Sequence, residues 1–374
     1  MNYRIGIALA GLMMAASAAV GAASQQEERR SNPVAGAVYA ASNSSSGNTL
    51  LVFDRRADGR IEPAGSVATG GVGTGAGLGN QGGLAFSRDE RWLLAVNAGS
   101  NSVSVFDARR RRPRLVHVQP TGGLRPVSVT ESHGVVYVLH AGSDSITGFT
   151  LDAAGRLQPL AGSTRALSGT GTAAAQVAFS PDGGVLAVTE RATNQIVTFE
   201  VDRDGLPGLA QAQPSNGVTP FGFAFGKRGQ LFVTEAFGGA PGASATSSYE
   251  IDRAGALSTI SASVATNQTA ACWLALTPDG RFAYVTNAGS GSISGYRIDV
   301  EGEIALLTDD GRTGVTGDGS TPIDLTVTGN GRFVYSLNSG THTIGAFRVS
   351  RDGSLTALPF AEGLPVGANG LVSR

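Results

Sequence analysis

The stretch LALTPDGRFAYVTNAGSGSISGYRID, residues 274–299, contains the pattern that decides the fold. Short runs rich in Val, Ile, Phe and Tyr alternate with turns of Gly, Asn, Asp and Ser, as is typical of antiparallel strands joined by hairpins. The pattern recurs clearly in residues 82–107, 176–205 and 325–353. After three strands, each copy continues with a turn of the D-x-x-G kind and a fourth strand, so the repeating unit is a four-stranded sheet.

One position makes the repeat measurable, namely the residue that closes the second strand of each copy. These closing residues are Ser42, Asn97, His140, Glu190, Glu235, Asn287 and Asn338. They recur at intervals of about 43 to 55 residues, and four strands at such a period are the signature of propeller blades. The sequence therefore predicts an all-β fold, a seven-bladed β-propeller of four-stranded antiparallel blades, in one domain over residues 34–374.

The two ends of this domain are complementary. The first copy has no inner strand of its own, and NGLVSR at residues 369–374 resembles GGLAFSR at residues 82–88. We therefore expect the C-terminal strand to join the N-terminal blade and close the ring. Closure leaves only short, protected strand edges.

Composition excludes several classes of function. The chain has 374 residues with 41 % hydrophobic residues, which suffices for a core, and a formal net charge of -1, which attracts neither nucleic acid nor an anionic membrane. A single cysteine, Cys272, excludes a disulfide framework, and the four histidines lack the short spacing of metal ligands. We expect no metal and no cofactor.

The N-terminus has the features of a secretory signal peptide. Arg4 precedes an apolar run over residues 5–20, and small residues follow at positions 21–23. The sequence predicts a signal peptide over residues 1–23, a linker over 24–33 and a periplasmic or secreted mature protein. No other segment approaches the length of a membrane span, so we expect a protein that does not span the membrane.

Blade topology predicts where a site can lie. The first strand of an antiparallel blade starts on the face where the second strand ends, so the closing residues gather near the axis on one face, which we call the funnel face. Beside them lie the residues that open the inner strands, which are Arg125, Gln176, Phe221, Trp273 and Ile323. Loops on this face are where binding residues concentrate.

Titratable residues on this face suggest a chemistry. His140, Glu190 and Glu235 close strands on three consecutive blades, and Arg191 follows Glu190. We predict that these four are catalytic: a carboxylate or imidazole moves a proton while arginine holds a substrate carboxylate. The predicted ligand-binding residues are Arg125, Gln176, Phe221, Trp273, Asn97, Asn287 and Asn338. The alternative is that the two glutamates only satisfy hydrogen bonds with Arg191 and other polar groups.

Two irregular segments also face the funnel. Residues 70–83, GGVGTGAGLGNQGG, form a glycine-rich crossing that we expect above the funnel. Residues 236–248, AFGGAPGASATSS, lengthen the connection that follows Glu235, either as a lid or as a tolerated surface insertion.

The repeats resemble those of a known family. YVTN at residues 284–287, SPDG at 180–183 and TPDG at 277–280 resemble the lactonase-type seven-bladed propellers, which include phosphogluconolactonase and carboxymuconate cyclase branches. The resemblance implies a small lactone or carboxylate as ligand, and VTEAF from Val233 is similar to the motif that carries a glutamate in this family, at Glu235. The family's histidines before the inner strands are replaced here by Ala175, Gln176 and Phe221.

Two functions follow as hypotheses. The first is an exported lactonase-like propeller that binds, and hydrolyses or forms, a small lactone or carboxylate at the funnel face. The second is a non-catalytic scaffold that binds protein or glycan, because fold alone does not fix function.

Overall fold

The apolar runs and polar turns form strands that pair into seven antiparallel sheets, one for each predicted blade. The structure is a computed structural model that describes residues 32–374, so the predicted signal peptide and residues 24–31 of the predicted linker lie outside the described residues. Asn32 and Pro33 are bonded to the first blade, because the Asn32 side-chain oxygen accepts from the Asp58 N–H and the Pro33 carbonyl accepts from the Ala57 N–H. In the described part of the chain, no helix has the length and apolar character needed to cross a membrane.

The strands of the first four blades follow one another along the chain. Blade 1 begins with β1 (Val34–Ala41), β2 (Thr49–Arg56) and β3 (Ile61–Ala68). Blade 2 contains β4 (Leu84–Phe86), β5 (Trp92–Asn97), β6 (Ser102–Asp107) and β7 (Arg114–Pro120). Blade 3 contains β8 (Pro126–Ser132), β9 (Val135–His140), β10 (Ser145–Leu151), β11 (Leu157–Pro159) and the short β12 (Arg165–Ala166). Blade 4 contains β13 (Ala174–Phe179), β14 (Val185–Glu190), β15 (Gln195–Glu200) and β16 (Gln211–Pro214).

The remaining blades complete the ring. Blade 5 contains β17 (Pro220–Phe225), β18 (Leu231–Glu235), a 3-10 turn (Phe237–Gly239), β19 (Ala245–Ile251) and β20 (Leu257–Ala265). Blade 6 contains β21 (Ala271–Leu276), β22 (Phe282–Asn287), β23 (Ser292–Ile298), β24 (Ile304–Leu306) and the short β25 (Gly314–Val315). Blade 7 contains β26 (Pro322–Val327), β27 (Phe333–Asn338), β28 (Thr343–Val349) and β29 (Leu355–Glu362), and the last strand is β30 (Asn369–Ser373).

The C-terminal strand closes the ring, as the sequence predicts. Strand β30 is the inner strand of blade 1 and runs antiparallel to β1, with Tyr39 opposite Val372 and Val38 opposite Ser373. The bonding continues past the strand end, because Ala37 and Arg374 exchange two backbone hydrogen bonds of 3.1 and 2.9 Å. The first and last parts of the domain are thus held in one sheet.

Buried tyrosines connect neighbouring blades. Four of them lie on second strands with no solvent exposure, and each donates its hydroxyl to a turn between the third and fourth strands of the next blade. The bonds run from Tyr39 to the Arg111 carbonyl, from Tyr137 to that of Gly205, from Tyr284 to that of Gly353 and from Tyr335 to that of Gly59, at 2.7 to 2.8 Å. The same turn of the repeat therefore provides the acceptor for its neighbour's buried hydroxyl.

The register places the closing residues on the funnel face. In blades 3 to 7 each closing residue is paired with the first residue of the inner strand, for example Glu190 with Ala174 and Glu235 with Pro220. A register shift follows at once in each of these five blades. The closing residues and the starts of the inner strands therefore lie side by side, as predicted.

Candidate functional site

Glu235 occupies a hydrogen-bonded socket inside blade 5. The side chain has no solvent exposure. Its Oε1 accepts from the Gly217 N–H at 2.8 Å and the Ser247 hydroxyl at 2.6 Å, and its Oε2 accepts from the Ser263 hydroxyl at 2.6 Å. These donors lie on the preceding crossing loop and on the two outer strands of the blade. The carboxylate therefore extends outward along the blade, away from the inner strand.

Glu190 is held in the same way in blade 4. Its Oε1 accepts from the Ser168 N–H at 3.0 Å, and its Oε2 accepts from the hydroxyls of Ser168 and Thr193. Within residues 32–374, no hydrogen bond or ion pair joins either glutamate to Arg191. The four predicted catalytic residues thus do not form one bonded cluster, and the glutamates satisfy their oxygens with hydroxyl and backbone groups instead. Their role in catalysis stays a prediction.

His140 and the closing asparagines also lie in sockets. His140 has no exposure, its Nδ1 lies 3.3 Å from the Ser145 carbonyl oxygen, and its Nε2 has no hydrogen-bond partner among the described residues. Burial lowers the pKa of His140 to about 4, so the ring is neutral at pH 7. Asn97 and Asn287 each donate to two serine hydroxyls of the next strand, and Asn338 donates to a threonine hydroxyl there. The three asparagine amides are therefore engaged within their own blades.

Arg191 occupies a different environment, next to the inner strands. Its Nε donates to the Ala173 carbonyl at 2.9 Å, and its guanidinium carbon lies 4.9 Å from the centre of the Phe221 ring. The Phe221 ring in turn lies 4.9 Å from the Trp273 ring, inclined at 53°. Phe221 and Trp273 are almost fully buried, whereas Arg191 is partly exposed. The structure therefore places a cation over one aromatic ring, Phe221, which itself packs against the Trp273 ring of the next inner strand.

The charge on Arg191 is not neutralised by a neighbour. Among residues 32–374, no carboxylate lies within ion-pair distance of its guanidinium. Burial lowers the pKa of Arg191, and the nearby positive charge of Arg125 acts in the same direction. A desolvated guanidinium with free donors is a suitable partner for a carboxylate, which it can bind through two parallel hydrogen bonds.

Cys272 lies beside this arginine but is not activated by it. Burial raises the pKa of the Cys272 thiol to about 12, although the positive charge of Arg191 lowers it. The side chain is 7 % exposed and packs with Phe221 and Trp273. A thiol nucleophile needs a depressed pKa, so this residue acts as a small packing group.

The other predicted ligand-binding residues divide into two groups. Arg125 is exposed, its backbone N–H donates to the Asn101 side-chain oxygen at 2.7 Å, and its charge is near enough to Arg191 to lower the pKa of that guanidinium. Gln176 is buried, and its amide exchanges hydrogen bonds of 2.7 and 2.9 Å with the backbone of Phe223 in blade 5. Its amide group is therefore occupied by the next blade.

The glycine-rich crossing differs from the expectation. Residues 78–83 do not stay above the funnel but run into the axis of the ring. Gln81 donates its backbone N–H to the Ala175 carbonyl of blade 4, and its side chain bonds to Leu274 of blade 6. This path could not be predicted, because the segment has no hydrophobic periodicity. The repeated glycines indicated only that its backbone approaches other groups closely.

Asp324 is a buried acidic residue that the sequence analysis did not single out. It lies on the inner strand of blade 7, is 4 % exposed, and accepts from the Leu325 N–H at 2.8 Å. Burial raises the pKa of Asp324 well above its usual range. In the sequence, this residue could have been recognised as an isolated acidic residue between apolar neighbours in PIDLTV. Asp324 occupies the same position in its inner strand as Trp273 does in blade 6.

The insertion in blade 5 is shorter than predicted. Strand β19 begins at Ala245, so the insertion covers residues 236–244 rather than 236–248, because its last four residues belong to the strand. Backbone N–H groups of Phe237 and Gly242 donate to Val218 and Thr269, which lie on the two crossing loops that flank the blade. The segment is thus anchored at both ends as a rim of the funnel.

The cavities on the opposite face lie between neighbouring blades. One of about 470 Å³, between blades 4 and 5, is lined by turn residues such as Asp182, Lys227 and Arg253. Another of about 580 Å³ lies between blades 2 and 3. Neither contains a residue predicted to bind or react. In the part of the chain that the structure describes, no three His, Cys, Asp or Glu side chains are grouped to hold a metal ion.

Known structures share this fold. A protein of Bacteroides fragilis, described provisionally as a 6-phosphogluconolactonase, is 19 % identical over 91 % of this chain and 98 % of its own, with a TM-score of 0.72. A periplasmic gluconolactonase of Pseudomonas aeruginosa is 17 % identical over 90 % of this chain and 98 % of its own, with a TM-score of 0.71. No curated protein matches the sequence. At 17 to 19 % identity, these structural similarities show that the proteins share a fold.

The sequence itself matches a family over most of its length. Three stretches, residues 37–170, 161–236 and 242–369, match the family described as lactonase, 7-bladed beta-propeller. Together they include every blade, the Arg191 site and the closing residues. The chain therefore belongs to the lactonase family of seven-bladed β-propellers.

Proposed function

We propose that this chain is an exported, lactonase-like propeller that binds a small lactone or carboxylate at the funnel face. The observation that carries the proposal is the guanidinium of Arg191, which lies over Phe221 without a carboxylate partner among the described residues. Family membership supports the same ligand class. Export rests on the predicted signal peptide of residues 1–23.

Arg191 suits both the substrate and the product of lactone opening. When water attacks the ring carbonyl, negative charge develops on its oxygen, and a desolvated donor aimed at that oxygen stabilises it. The product carries a carboxylate, which the two terminal nitrogens of a guanidinium can bind together. The guanidinium lies over Phe221, which packs against Trp273, and the exposed Arg125 adds positive charge nearby.

Lactone hydrolysis also needs a group that accepts a proton from the attacking water, and the predicted candidates for this role are Glu235 and Glu190. Glu235 has no solvent exposure, so it could act as a base only if water displaced part of its surroundings, such as the hydroxyl of Ser247 or Ser263. Glu190 faces the same constraint with Ser168 and Thr193. We therefore assign binding to Arg191 first, and treat proton transfer by Glu235 as the part of the proposal that kinetics must decide.

The substrate we propose is an unphosphorylated aldonolactone. Phosphorylated sugar lactones are cytoplasmic, whereas this chain is predicted to be exported. The mouth offers two arginines, of which only Arg191 is desolvated, so it suits a single carboxylate better than a ligand that carries a phosphate as well.

The test compares wild-type mature protein with Arg191→Met. We expect sodium gluconate to bind the wild type in calorimetry and to bind Arg191→Met at least about 10-fold more weakly, because charge and bidentate geometry are both lost. Hydrolysis of glucono-1,5-lactone, followed by pH-stat, should fall in parallel. Arg110→Met, which removes an exposed arginine from the opposite face, is the matched control. Equal affinity of the wild type and Arg191→Met for gluconate would contradict the proposal.

A scaffold function is the second candidate, and one observation favours it. Four large apolar side chains are exposed on the connections between blades, namely Leu124, Val218 and Val366 in crossing loops and Val315 in the short β25, at 44 to 72 % exposure. Exposed apolar groups around a rim are suited to contact with a protein or glycan. Retention of an envelope protein or glycan by the wild type, and its loss in Leu124→Ser with Val218→Ser, would support this function. Equal retention by both proteins would count against it.

A further inference from the structure

Residues 78–83, which we call the axial plug, contact inner strands on opposite sides of the ring. The Asn80 carbonyl accepts from the Trp273 indole N–H of blade 6 at 2.6 Å. The Asn80 side chain donates to the Val127 carbonyl of blade 3 and accepts from the Asn369 amide of blade 1 at 2.9 Å. With the bonds of Gln81 to blades 4 and 6, the plug is joined to four blades besides its own. Only a segment on the axis can reach all of them.

The plug replaces a side chain that blade 5 lacks. Inner strands present an unpaired backbone edge to the axis, and such edges need partners. In blade 4, Gln176 bonds to both backbone groups of Phe223 in the next blade. The corresponding residue of blade 5 is Gly222, where a Cβ atom would lie 2.0 Å from the Gln81 Oε1. Gln81 occupies this space and bonds to both backbone groups of Leu274, at 2.7 and 3.1 Å.

The plug also supports the arginine site. Through Asn80 it holds the indole of Trp273, which packs against Phe221 beneath the guanidinium of Arg191. At Gly79 a Cβ atom would lie 3.2 Å from both terminal nitrogens of Arg191, so the guanidinium rests directly on the plug backbone. The residues that define the proposed ligand site are thus held from below by the same segment.

We propose that the axial plug is the floor of the ligand site, and that Asn80 and Gln81 are positioning residues that fix Trp273 and Arg191. The site is then open only towards the funnel face, and ligand enters and leaves by that mouth. This inference rests on the proposed function for the identity of the ligand. The role of the plug in holding Trp273 is independent of any ligand.

The first experiment uses Trp273 as a reporter. The chain has two tryptophans, so Trp92→Phe leaves Trp273 as the sole tryptophan, which can be excited selectively over the tyrosines. In this background, Gln81→Met keeps the length of the side chain but removes both bonds to Leu274. We expect iodide to quench Trp273 at least about twofold more strongly than in the parent, with a red-shifted emission. Gln158→Met, on an exposed outer strand, is the matched control and should match the parent. Quenching of Gln81→Met equal to that of the control would overturn the proposal.

The second experiment tests contact with Arg191, and it decides the matter if Gln81→Met does not fold. Gly79 and Gly171 both have positive φ, 63° and 68°, so alanine strains the backbone at either position. A Cβ atom would meet Arg191 at Gly79 and nothing within 4 Å at Gly171. In the Trp92→Phe background, we expect Gly79→Ala to bind gluconate about threefold more weakly and to change iodide quenching, and Gly171→Ala to do neither. Identical behaviour of the two variants in quenching would overturn the proposal.

The two proposals fail in distinguishable ways. If wild-type protein does not bind gluconate while Gln81→Met raises iodide quenching, the ligand assignment is wrong and the positioning role of the plug stands. If gluconate binds through Arg191 but quenching of Gln81→Met equals that of Gln158→Met, or quenching of Gly79→Ala equals that of Gly171→Ala, the plug is not the support of the site.

Discussion

At the scale of single residues, hydrogen-bond satisfaction separates structural ionisable groups from candidate functional ones. Burying a charged side chain costs several kcal/mol unless other groups replace the lost water. Glu190 and Glu235 have hydroxyl and backbone donors on both carboxylate oxygens. Arg191 has one carbonyl and an aromatic face. The arginine therefore has donors left for a ligand, whereas the glutamates have no solvent exposure and can be reached only after their surroundings rearrange.

Glu235→Gln should lower stability because an amide NH₂ would face hydroxyl and N–H groups that now donate to the carboxylate. We expect a loss of about 1–3 kcal/mol in the free energy of unfolding, measured with urea. Glu301→Gln, on an exposed turn, should stay within about 0.5 kcal/mol of wild type. Unchanged stability together with abolished lactone hydrolysis would instead identify Glu235 as the catalytic base.

Asp324 should make stability depend on pH. Its folded-state pKa is raised well above the usual value by burial, so the folded chain keeps a proton that the unfolded chain loses above about pH 4. The unfolded state then binds fewer protons, and stability falls as pH rises towards the folded pKa, by at most about 1.4 kcal/mol per pH unit. Asp324→Asn should match wild type near pH 4 and exceed it increasingly at higher pH.

Urea unfolding of both proteins at several pH values checks this expectation. Asp318→Asn, which changes an exposed residue on a crossing loop, should follow the wild-type profile. Parallel profiles for wild type and Asp324→Asn would mean that the proton on Asp324 is not linked to folding.

At the scale of elements, regular strands were predictable and irregular segments were not. Strand positions follow from apolar runs between turn residues, and the blade period follows from their repetition. The direction of the closing side chains could not be predicted, because it follows from hydrogen-bond partners on the crossing loops and outer strands, such as Gly217 and Ser263 for Glu235. The path of residues 78–83 depends on contacts with four other blades, which the local sequence does not indicate.

The insertion of residues 236–244 should act as a fixed rim and not as a lid. Hydrogen bonds from Phe237 and Gly242 to the flanking crossing loops hold both ends. Deletion of residues 238–242 should therefore change the affinity for gluconate by less than about twofold and leave iodide quenching of Trp273 unaltered. Loop shortening itself changes closure entropy little.

Steady-state kinetics of lactone hydrolysis distinguish a rim from a lid. A lid that sequesters substrate changes kcat and KM together when it is removed. A joint change of this kind in the deletion variant would show that the rim closes over the ligand.

At the scale of the whole molecule, closure of the ring contributes to stability, and the axis of the ring determines the surroundings of the proposed ligand site. Seven blades and the closure by β30 were predictable because the first copy lacks an inner strand and the last residues resemble one. What the repeat could not reveal is the asymmetry of the axis, where one crossing loop substitutes for the side chain missing at Gly222. The low charge fraction of 15 % is consistent with blades buried against one another, and it makes a desolvated arginine conspicuous.

The closure itself should depend on Arg55. This side chain is 6 % exposed, and its guanidinium donates to the carbonyls of Arg374 and Ala35 at 2.9 to 3.2 Å, joining the C-terminus to blade 1. Arg55→Met removes these bonds, so the Arg374 carbonyl keeps only the Ala37 N–H and a charged donor is lost, and we expect a loss of about 1.5–3 kcal/mol in the free energy of unfolding. Arg110→Met, at an exposed position, should cost less than about 0.5 kcal/mol.

Hydrogen exchange locates the effect: amides of β1 and β30 should lose protection first in Arg55→Met, because opening of a ring begins at its closure. Uniform loss of protection over all seven blades would mean that Arg55 stabilises the ring without acting at its seam.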